Sequence, residues 1–355
     1  MDKFKQQINV ILAMIEKDEI KKIILDFFQK DIKTYLQKLI KLDQKIETKR
    51  IVSEDINKKY RLLANGIIQK AEKLEKVVDQ QLLKKIKNVF RILLINSPVY
   101  KSLIVKRAYN KPRGYSGDYQ IIELFYDNRP ISKGIGLCGD KYILNNNYVK
   151  AVRKRKNCMK KILGSFIKNS ESSSINILNL GCGSCREIRE LFLSDFNINK
   201  KLNFILVDQD KEALAFSRHA FKKISAHIPN NIKFNFVKAN VLDLFKNKKY
   251  KNVLKGQDMI YSIGLADYLP DIFLGRLLKF CFELLELKGK LIIAHKNIKR
   301  YKASAPDWFC DWHFFPRNRK NLIDITNTYL DKVKFKIEFN EGKSGRIFFI
   351  TINKQ

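Results

Sequence analysis

The feature that most constrains this chain is a regular alternation of short apolar runs and helix-like patterns after residue 174. Such alternation is typical of a parallel sheet with helices on both faces. It predicts strands at 175–180, 203–207, 232–237, 258–262 and 290–295, and helices near 213–223 and 272–287. Two last β-rich runs, 334–339 and 346–352, flank a glycine-containing turn. They predict a terminal hairpin.

The first predicted strand ends in the glycine turn Gly181-Cys182-Gly183. Glycines let a backbone approach a ligand closely. A dinucleotide fingerprint, G-x-G-x-x-G, needs a third glycine where Arg186 stands. The turn therefore favours a ligand without a pyrophosphate, and we expect S-adenosyl-L-methionine, with S-adenosyl-L-homocysteine as its product. The next strand ends in Asp208, whose carboxylate can accept hydrogen bonds from a ribose.

The charge of the chain is strongly positive. It carries 70 Lys and Arg against 36 Asp and Glu, a formal net charge of +34 over 355 residues. Such a charge attracts nucleic acid, anionic membranes or acidic metabolites. The excess is spread along the sequence, and only 150–161 (KAVRKRKNCMKK) concentrates it. We interpret this stretch as the solvated face of a helix that leads into the first strand.

The composition also indicates the cellular compartment in which the protein lies. No run of eighteen uncharged apolar residues occurs, so the sequence predicts no membrane span. The apolar run near the start lacks the cleavage site of a signal peptide. Six scattered cysteines are typical of reduced thiols, and the C-x-x-C pair at Cys182 and Cys185 has no second pair to complete a zinc site. We expect a cytoplasmic protein with no bound metal.

Three regions are predicted along the chain. Apolar residues at helix-face spacing, in long patterns over 20–40 and 62–94 with a cap region at Ser53, indicate an all-helical front. The regions are 1–97, a helical bundle or hairpin; 98–170, a cap or lid segment and the helix leading into the core; and 171–355, the cofactor-binding core. To the first region we assign packing, a lid role or a homodimer contact.

Several sequence blocks resemble one branch of the class I methyltransferases. They are PRGYSGDYQIIELFY (112–126), LNLGCGSCRE (178–187), LVDQDKEALAF (206–216), YSIGLADYL (261–269) and DWHFFPR (311–317). In this order they are similar to the 3-hydroxypalmitic acid methyl ester biosynthesis proteins. The resemblance implies a seven-strand, Rossmann-like methyltransferase sheet and carboxyl O-methylation of a hydroxylated or fatty acid. The chain departs from the usual motif at Asn179, where an acidic residue is common, and at Cys185, where a third glycine is common.

The blocks imply a cofactor site at the carboxyl ends of the strands. Asn240 is placed to hydrogen-bond the adenine edge, with Val241 packing on the ring; a solvated Asn after a strand is the alternative, and Asp243 is a candidate cap for the next turn. The full set of expected cofactor contacts is Arg113, Asp118, Gly181, Cys182, Gly183, Asp208, Gln209, Asn240, Val241, Ser262 and Gly264.

Methyl transfer from a sulfonium is an in-line displacement, so the main task of the protein is alignment. A carboxylate is ionised at pH 7 and needs orienting donors rather than a general base. If the nucleophile were an amine or hydroxyl, His295 or His313 would be the candidate base. The expected catalytic residues are Tyr115, Tyr119, Tyr261, Asp267, Arg317 and His313. Each charged residue has an ordinary surface ion pair as its alternative.

Two other functions stay open. A nucleic-acid or protein methyltransferase would exploit the charge, although enzymes that methylate adenine usually carry an Asp/Asn-Pro-Pro-aromatic sequence where this chain reads YSIGLADY. A non-catalytic cofactor-binding module is the other, and Asn179 and Cys185 are its support. The sequence favours a small-molecule carboxylic acid as substrate.

Overall fold

The structure, a computed structural model, describes residues 2–194, 196, 198–301, 304–330, 333–341 and 344–355. The chain divides into two units, which we describe separately: Met1–Val149 with Ala303–His313, and Lys150–Lys302 with Phe314–Gln355. Within the described ranges, no helix is both long and apolar enough to cross a membrane. The predicted regional boundaries at residues 97 and 170 stay a prediction.

The described helices and strands follow the chain in this order. The helices are α1 (Asp2–Ala13), α2 (Asp18–Asp26), α3 (Lys33–Lys49), α4 (Glu54–Leu74), α5 (Gln80–Leu94), α6 (Leu103–Asn110), α7 (Tyr119–Asp127), α8 (Gly134–Leu144), α9 (Asn147–Asn169), α10 (Arg186–Phe192), α11 (Lys211–Lys223), α12 (Val241–Lys246), α13 (Lys248–Leu254), α14 (Asp271–Leu284), α15 (Ser304–Cys310) and α16 (Arg319–Tyr329). The strands are β1 (Ser174–Leu180), β2 (Lys201–Asp208), β3 (Ile232–Lys238), β4 (Gln257–Ser262), β5 (Leu285–Lys296), β6 (Phe335–Glu341) and β7 (Ile347–Lys354).

The described part of the first unit is helical. Ser53 caps α4 as predicted, because its hydroxyl accepts a hydrogen bond from the N–H of Ile56 at 3.3 Å. The single helical pattern predicted over 62–94 is wrong, since α4 ends at Leu74 and Asp79 caps a new helix, α5. Apolar residues resume at helical spacing after the break between α4 and α5, so the periodicity alone does not show that two helices are present.

A late segment of the chain belongs to this helical unit. Helix α15 carries Trp308, whose buried ring packs edge-to-face on Phe27 and Phe90 at centroid distances of 5.5 and 5.2 Å. The indole N–H donates to the Glu75 carboxylate at 2.9 Å. Aromatic pairs of this kind contribute about 1 kcal/mol each beyond area burial. Aromatic packing therefore fixes the segment that carries His313.

The second unit contains the predicted sheet, with strand order β3-β2-β1-β4-β5-β7-β6. Strands β1 to β5 are parallel, and β7 is antiparallel to both β5 and β6, which confirms the terminal hairpin. Gly342 and Lys343 of its predicted turn lie outside the described residues. The predicted helix at 272–287 is too long, because Leu285 pairs with Gln257 and begins β5.

The connections reverse direction between β1 and β4, so this is the switch point where doubly wound sheets bind ligands. Apolar residues such as Leu178, Leu180 and Ile260 bury the strands in one core cluster. Near their carboxyl ends the strands become polar but remain buried, as at Asn179, Asp208, Ser262 and Lys296. Buried polar groups need partners, and the partners of these groups build the candidate site.

Candidate functional site

The turn after β1 brings the two predicted glycines to Asp208. Gly181 and Gly183 have φ values of 63° and 52°, a left-handed conformation that residues with a side chain rarely adopt. The N–H of Gly183 donates to Asp208 Oδ2 at 2.7 Å, and the N–H of Asp210 donates to Oδ1 at 2.9 Å. Burial raises the pKa of Asp208, and these backbone hydrogen bonds oppose the rise.

The turn has open space on one side. A Cβ atom added at Gly183 would meet no described atom within 4 Å, whereas one at Gly181 would lie 3.2 Å from the side chain of Leu265. The carbonyl of Gly183 accepts a hydrogen bond from Ser217 Oγ at 2.8 Å, and the N–H of Cys182 donates to the carbonyl of Val207. The backbone is thus held in place, while none of the described side chains fills the space beside Gly183.

Cys182 contributes both its backbone N–H, which donates to the carbonyl of Val207, and its thiol, which donates weakly to the carbonyl of Gly183 at 4.0 Å. The side chain is buried, and burial raises its pKa well above the usual value, with a further rise from Cys185. The thiol is therefore protonated at neutral pH, and a thiol in this state is a poor nucleophile.

Sequence reasoning misses Glu187, a buried acid in the first turn of α10. Its Oε1 accepts hydrogen bonds from Asn179 Nδ2 at 3.0 Å and from the Tyr261 hydroxyl at 2.8 Å. Burial raises the pKa of Glu187, and its hydrogen bonds only partly offset the rise. Asn179 Oδ1 is buried with no hydrogen-bond partner among the described residues. The motif usually carries an acid at position 179, where this chain has Asn179. A buried acid, Glu187, lies eight residues later and accepts a hydrogen bond from Asn179.

The end of β4 is tied to both neighbouring elements. Tyr261 is fully buried, and its bond to Glu187 favours a positioning role over the direct contact with the methyl group expected from the sequence. Ser262 Oγ donates to the carbonyl of Leu180 at 2.8 Å and joins β4 to the end of β1. A Cβ atom at Gly264 would lie 3.7 Å from Nη2 of Arg155.

Asp267 lies in the short helical turn after β4 and is 1% exposed. Its Oδ2 is 2.7 Å from Lys296 Nζ, and its Oδ1 accepts the backbone N–H of Lys296 at 2.8 Å. Burial alone would raise its pKa, but Lys296, His295 and Arg155 together lower it to about 2. Asp267 is therefore ionised at neutral pH and fixes the loop to the end of β5.

The same cluster holds His295 and Arg317. Burial, with the cations Arg317 and Lys296 nearby, lowers the pKa of His295 to about 4 against the opposing effect of Asp267. The imidazole is therefore neutral at pH 7, and it is fully buried. The Arg317 guanidinium donates to the Asp271 carboxylate and to the carbonyl of Leu269, both at 2.6 Å. Arg317 thus braces the loop after β4, and its contact with substrate stays a prediction.

The predicted adenine side lies after β3. Asn240 caps α12, because its Oδ1 accepts the N–H of Asp243 at 2.9 Å. Asn240, and not Asp243, is therefore the cap. Val241 is half-buried and Gln209 is exposed next to Asp208. The cofactor contacts of these residues stay predictions.

Five predicted site residues lie in the first unit: Arg113, Tyr115, Asp118, Tyr119 and His313. Asp118 caps α7 and pairs with Arg107 at 2.7 Å. The Tyr119 hydroxyl accepts a hydrogen bond from Gln120 at 3.1 Å. Arg113 and Tyr115 are half-buried on a turn whose Gly114 has a φ of 86°. Their contacts with a ligand stay predictions.

His313 bridges two carboxylates of this unit. Its Nδ1 is 2.9 Å from Asp307 and its Nε2 is 2.8 Å from Asp311, and these bonds raise its pKa. The three side chains are close enough to hold a metal ion. However, Lys87 and Lys111 already pair with the two carboxylates at 2.6 Å. A metal ion would have to displace both cations, so we assign no metal here.

No protein-family model matches the chain, and no curated protein matches its sequence. Solved structures do match. A possible exported protein from Bordetella parapertussis is 13% identical, with 92% of this chain and 96% of that chain covered and a TM-score of 0.52. The CurJ carbon methyltransferase is also 13% identical, with 99% and 97% covered and a TM-score of 0.50. The magnesium protoporphyrin IX methyltransferase ChlM from Synechocystis PCC 6803, solved with bound S-adenosylmethionine, is 8% identical over 59% of this chain and 85% of that chain, with a TM-score of 0.42.

The seven-strand order and the match to the CurJ methyltransferase over nearly the full length both indicate the same fold. The chain therefore has the class I methyltransferase fold, with a seven-strand mixed sheet and a helical N-terminal region.

Proposed function

We propose that this chain is a class I S-adenosylmethionine-dependent methyltransferase that methylates a carboxylate oxygen of a hydroxylated or fatty acid in the cytoplasm. The observation that carries the proposal is the turn after β1. Two left-handed glycines lie there at the switch point of the sheet, and one of them bonds to the carboxylate that ends β2. Ligands of doubly wound sheets bind at this point.

The residues at the turn fit S-adenosylmethionine. The open space beside Gly183 allows the methionine part to approach the backbone, and Asp208 ends the strand that usually faces a ribose. Glu187 and the unpartnered Asn179 Oδ1 are hydrogen-bond acceptors for an ammonium group. When bound, the cofactor would supply an electrophilic methyl group.

The proposed acid needs orientation rather than deprotonation. A carboxylate is ionised at pH 7, so the buried, neutral His295 need not act as a base. Arginine and tyrosine donors can hold a carboxylate in one orientation, a role that stays a prediction for Arg113, Tyr115 and Tyr119 of the first unit and, separately, for Arg317 of the second. The five blocks that resemble the 3-hydroxypalmitic acid methyl ester biosynthesis proteins support an acid of this class.

Calorimetry with S-adenosylhomocysteine tests the cofactor. Asp208→Ala should weaken binding at least about tenfold, because loss of one charge-assisted hydrogen bond costs roughly 1.5–3 kcal/mol. Asp258→Ala is the matched control, since Asp258 lies near the start of β4 and accepts a hydrogen bond from the backbone of Asn176. Absence of binding to the unaltered chain would overturn the proposal.

A labelling assay tests the substrate. The chain is incubated with methyl-labelled S-adenosylmethionine and, separately, with 3-hydroxypalmitic acid, RNA or a protein mixture. Label recovered in esters that mild base cleaves is the expected result. Label in RNA or in base-stable protein adducts would overturn the acid as substrate and leave the cofactor assignment standing.

A basic groove favours nucleic acid as the second candidate substrate. It lies along α11 and β3, with the Arg218 guanidinium 4.7 Å from the centre of the Phe236 ring. Its lining residues are Lys211, Leu214, Ala215, Arg218, His219, Lys222, Phe236 and Lys238, with no acidic side chain among them. Positive charge beside an aromatic ring suits a single strand of nucleic acid. The RNA arm of the labelling assay decides between the two substrates.

A further inference from the structure

The basic stretch 150–161 is not only a solvated helix face, because Arg155 and Lys156 on α9 are 6% and 7% exposed. Lys156 forms an ion pair with the Glu190 carboxylate. Arg155 is not matched in this way. Its nearest carboxylate oxygen, Asp267 Oδ2, lies 3.9 Å from Nη1, which is beyond hydrogen-bond distance.

Asp267 already has a closer cation. Lys296 Nζ is 2.7 Å from the same oxygen, so one carboxylate faces two buried cations while His295 is neutral. Arg155 Nε is buried with no hydrogen-bond partner, and the guanidinium makes no hydrogen bond to the described residues. A buried cation without its own anion is unfavourable. The cluster therefore carries one positive charge in excess.

The excess charge lies beside the loop after β4. Nη2 of Arg155 is 3.7 Å from the Cβ position of Gly264, and the next residue, Leu265, contacts the Cβ position of Gly181. Nη1 faces Asp267, so the edge formed by Nε and Nη2 has no protein acceptor among the described residues. This edge presents two parallel N–H donors, the geometry that binds a carboxylate.

We infer that Arg155 is a binding residue for a ligand carboxylate. The inference rests on the proposed function, which supplies two carboxylates: the amino-acid tail of the cofactor and the acid substrate. Either one would neutralise the excess charge and satisfy Nε. Arg155 would then fix the position of a ligand without taking part in bond making.

The experiment compares Arg155→Gln with the unaltered chain by calorimetry. For the cofactor source, the probes are S-adenosylhomocysteine and 5′-methylthioadenosine, which lacks the amino-acid tail. For the substrate source, the probes are 3-hydroxypalmitate and its methyl ester, added at saturating S-adenosylhomocysteine. Arg155→Lys keeps the charge but not the paired donors, and should give an intermediate affinity.

We expect Arg155→Gln to lose at least about tenfold in affinity for one carboxylate probe and to keep its affinity for the matched neutral probe, since an ion-paired hydrogen bond is worth about a factor of ten or more. Loss with S-adenosylhomocysteine identifies the cofactor tail, and loss with 3-hydroxypalmitate identifies the substrate. Unchanged affinity ratios for both probe pairs would overturn the inference. If the unaltered chain binds neither nucleoside, the proposed function itself fails.

Thermal unfolding without ligand separates a binding residue from a structural one. Arg155→Gln should leave the melting temperature unchanged or raise it, because it removes an unmatched buried charge. Lys156→Gln, the matched control on the same helix, should lower it by breaking the pair with Glu190. A lower melting temperature for Arg155→Gln, together with loss of 5′-methylthioadenosine binding, would show that Arg155 is structural and refute the inference.

Discussion

Two buried carboxylates near the carboxyl ends of the parallel strands have opposite surroundings. Glu187 accepts hydrogen bonds from the neutral groups of Asn179 and Tyr261, and its pKa is raised by burial. Asp267 contacts the cation of Lys296, and its pKa is lowered to about 2. Burial acts on both in the same direction, so the charge of the nearest partner decides the outcome.

The difference separates two tasks at one sheet edge. The cluster around Asp267 is ionic and joins the loop after β4 to the end of β5, so its charges contribute to the fold. Among the described residues, the direct hydrogen-bond partners of the Glu187 carboxyl group are the neutral side chains of Asn179 and Tyr261, which leaves the group able to respond to a cationic ligand. The variants below test this division, starting with the largest expected effect.

Lys296→Met should lower the free energy of unfolding by about 3 kcal/mol, because it leaves the buried Asp267 carboxylate without its closest cation. Urea unfolding followed by circular dichroism measures the change. The double variant Lys296→Met with Asp267→Asn should recover only part of the loss, since no unpaired carboxylate then remains but the buried Arg155 cation loses its nearest carboxylate. A loss below about 1 kcal/mol would mean that Arg155 moves in to replace Lys296.

Tyr261→Phe should lower the free energy of unfolding by about 2 kcal/mol, because a buried carboxyl group loses a hydrogen-bond donor. Tyr329→Phe is the control, since the Tyr329 hydroxyl makes no hydrogen bond in the described part of the chain. Equal stability of the two variants would contradict the positioning role given to Tyr261.

Local sequence patterns predict the sheet and the glycine turn because their signals lie within a few residues. Runs of apolar residues predict the strands, and the position at the end of a predicted strand singles out Gly181, Gly183 and Asp208. The ionic cluster has no such signal. Arg155 and Lys296 meet Asp267 from 112 and 29 residues away, so only the folded sheet brings them together.

Glu187 is the residue of the candidate site for which the sequence carries an indirect signal. It lies eight residues after Asn179, the position where the motif usually carries an acid, and it opens a helix that follows the glycine turn. The acid missing at position 179 and the acid at the start of the next helix are thus related features of the sequence. Hydrophobic periodicity does not indicate that Glu187 is buried, because a charged residue in a first helical turn is ordinarily solvated.

Glu187→Gln should change the stability least, within about 1 kcal/mol at pH 7, because Gln retains a carbonyl acceptor for Tyr261. The pH dependence of the stability change in Glu187→Gln should be opposite to that in Asp267→Asn.

The raised pKa of Glu187 means that its favourable contribution to the free energy of unfolding is present below about pH 4.5 and is lost as the pH rises through the pKa in the folded state. The contribution of Asp267, whose pKa is lowered, is present above about pH 3.8 and is lost as the pH falls toward 2. Urea unfolding of both variants and the unaltered chain between pH 3 and 8 measures the two differences. If the two stability differences vary with pH in the same direction, the pKa values of Glu187 and Asp267 are not shifted in opposite directions, and the contrast drawn from their partners is wrong.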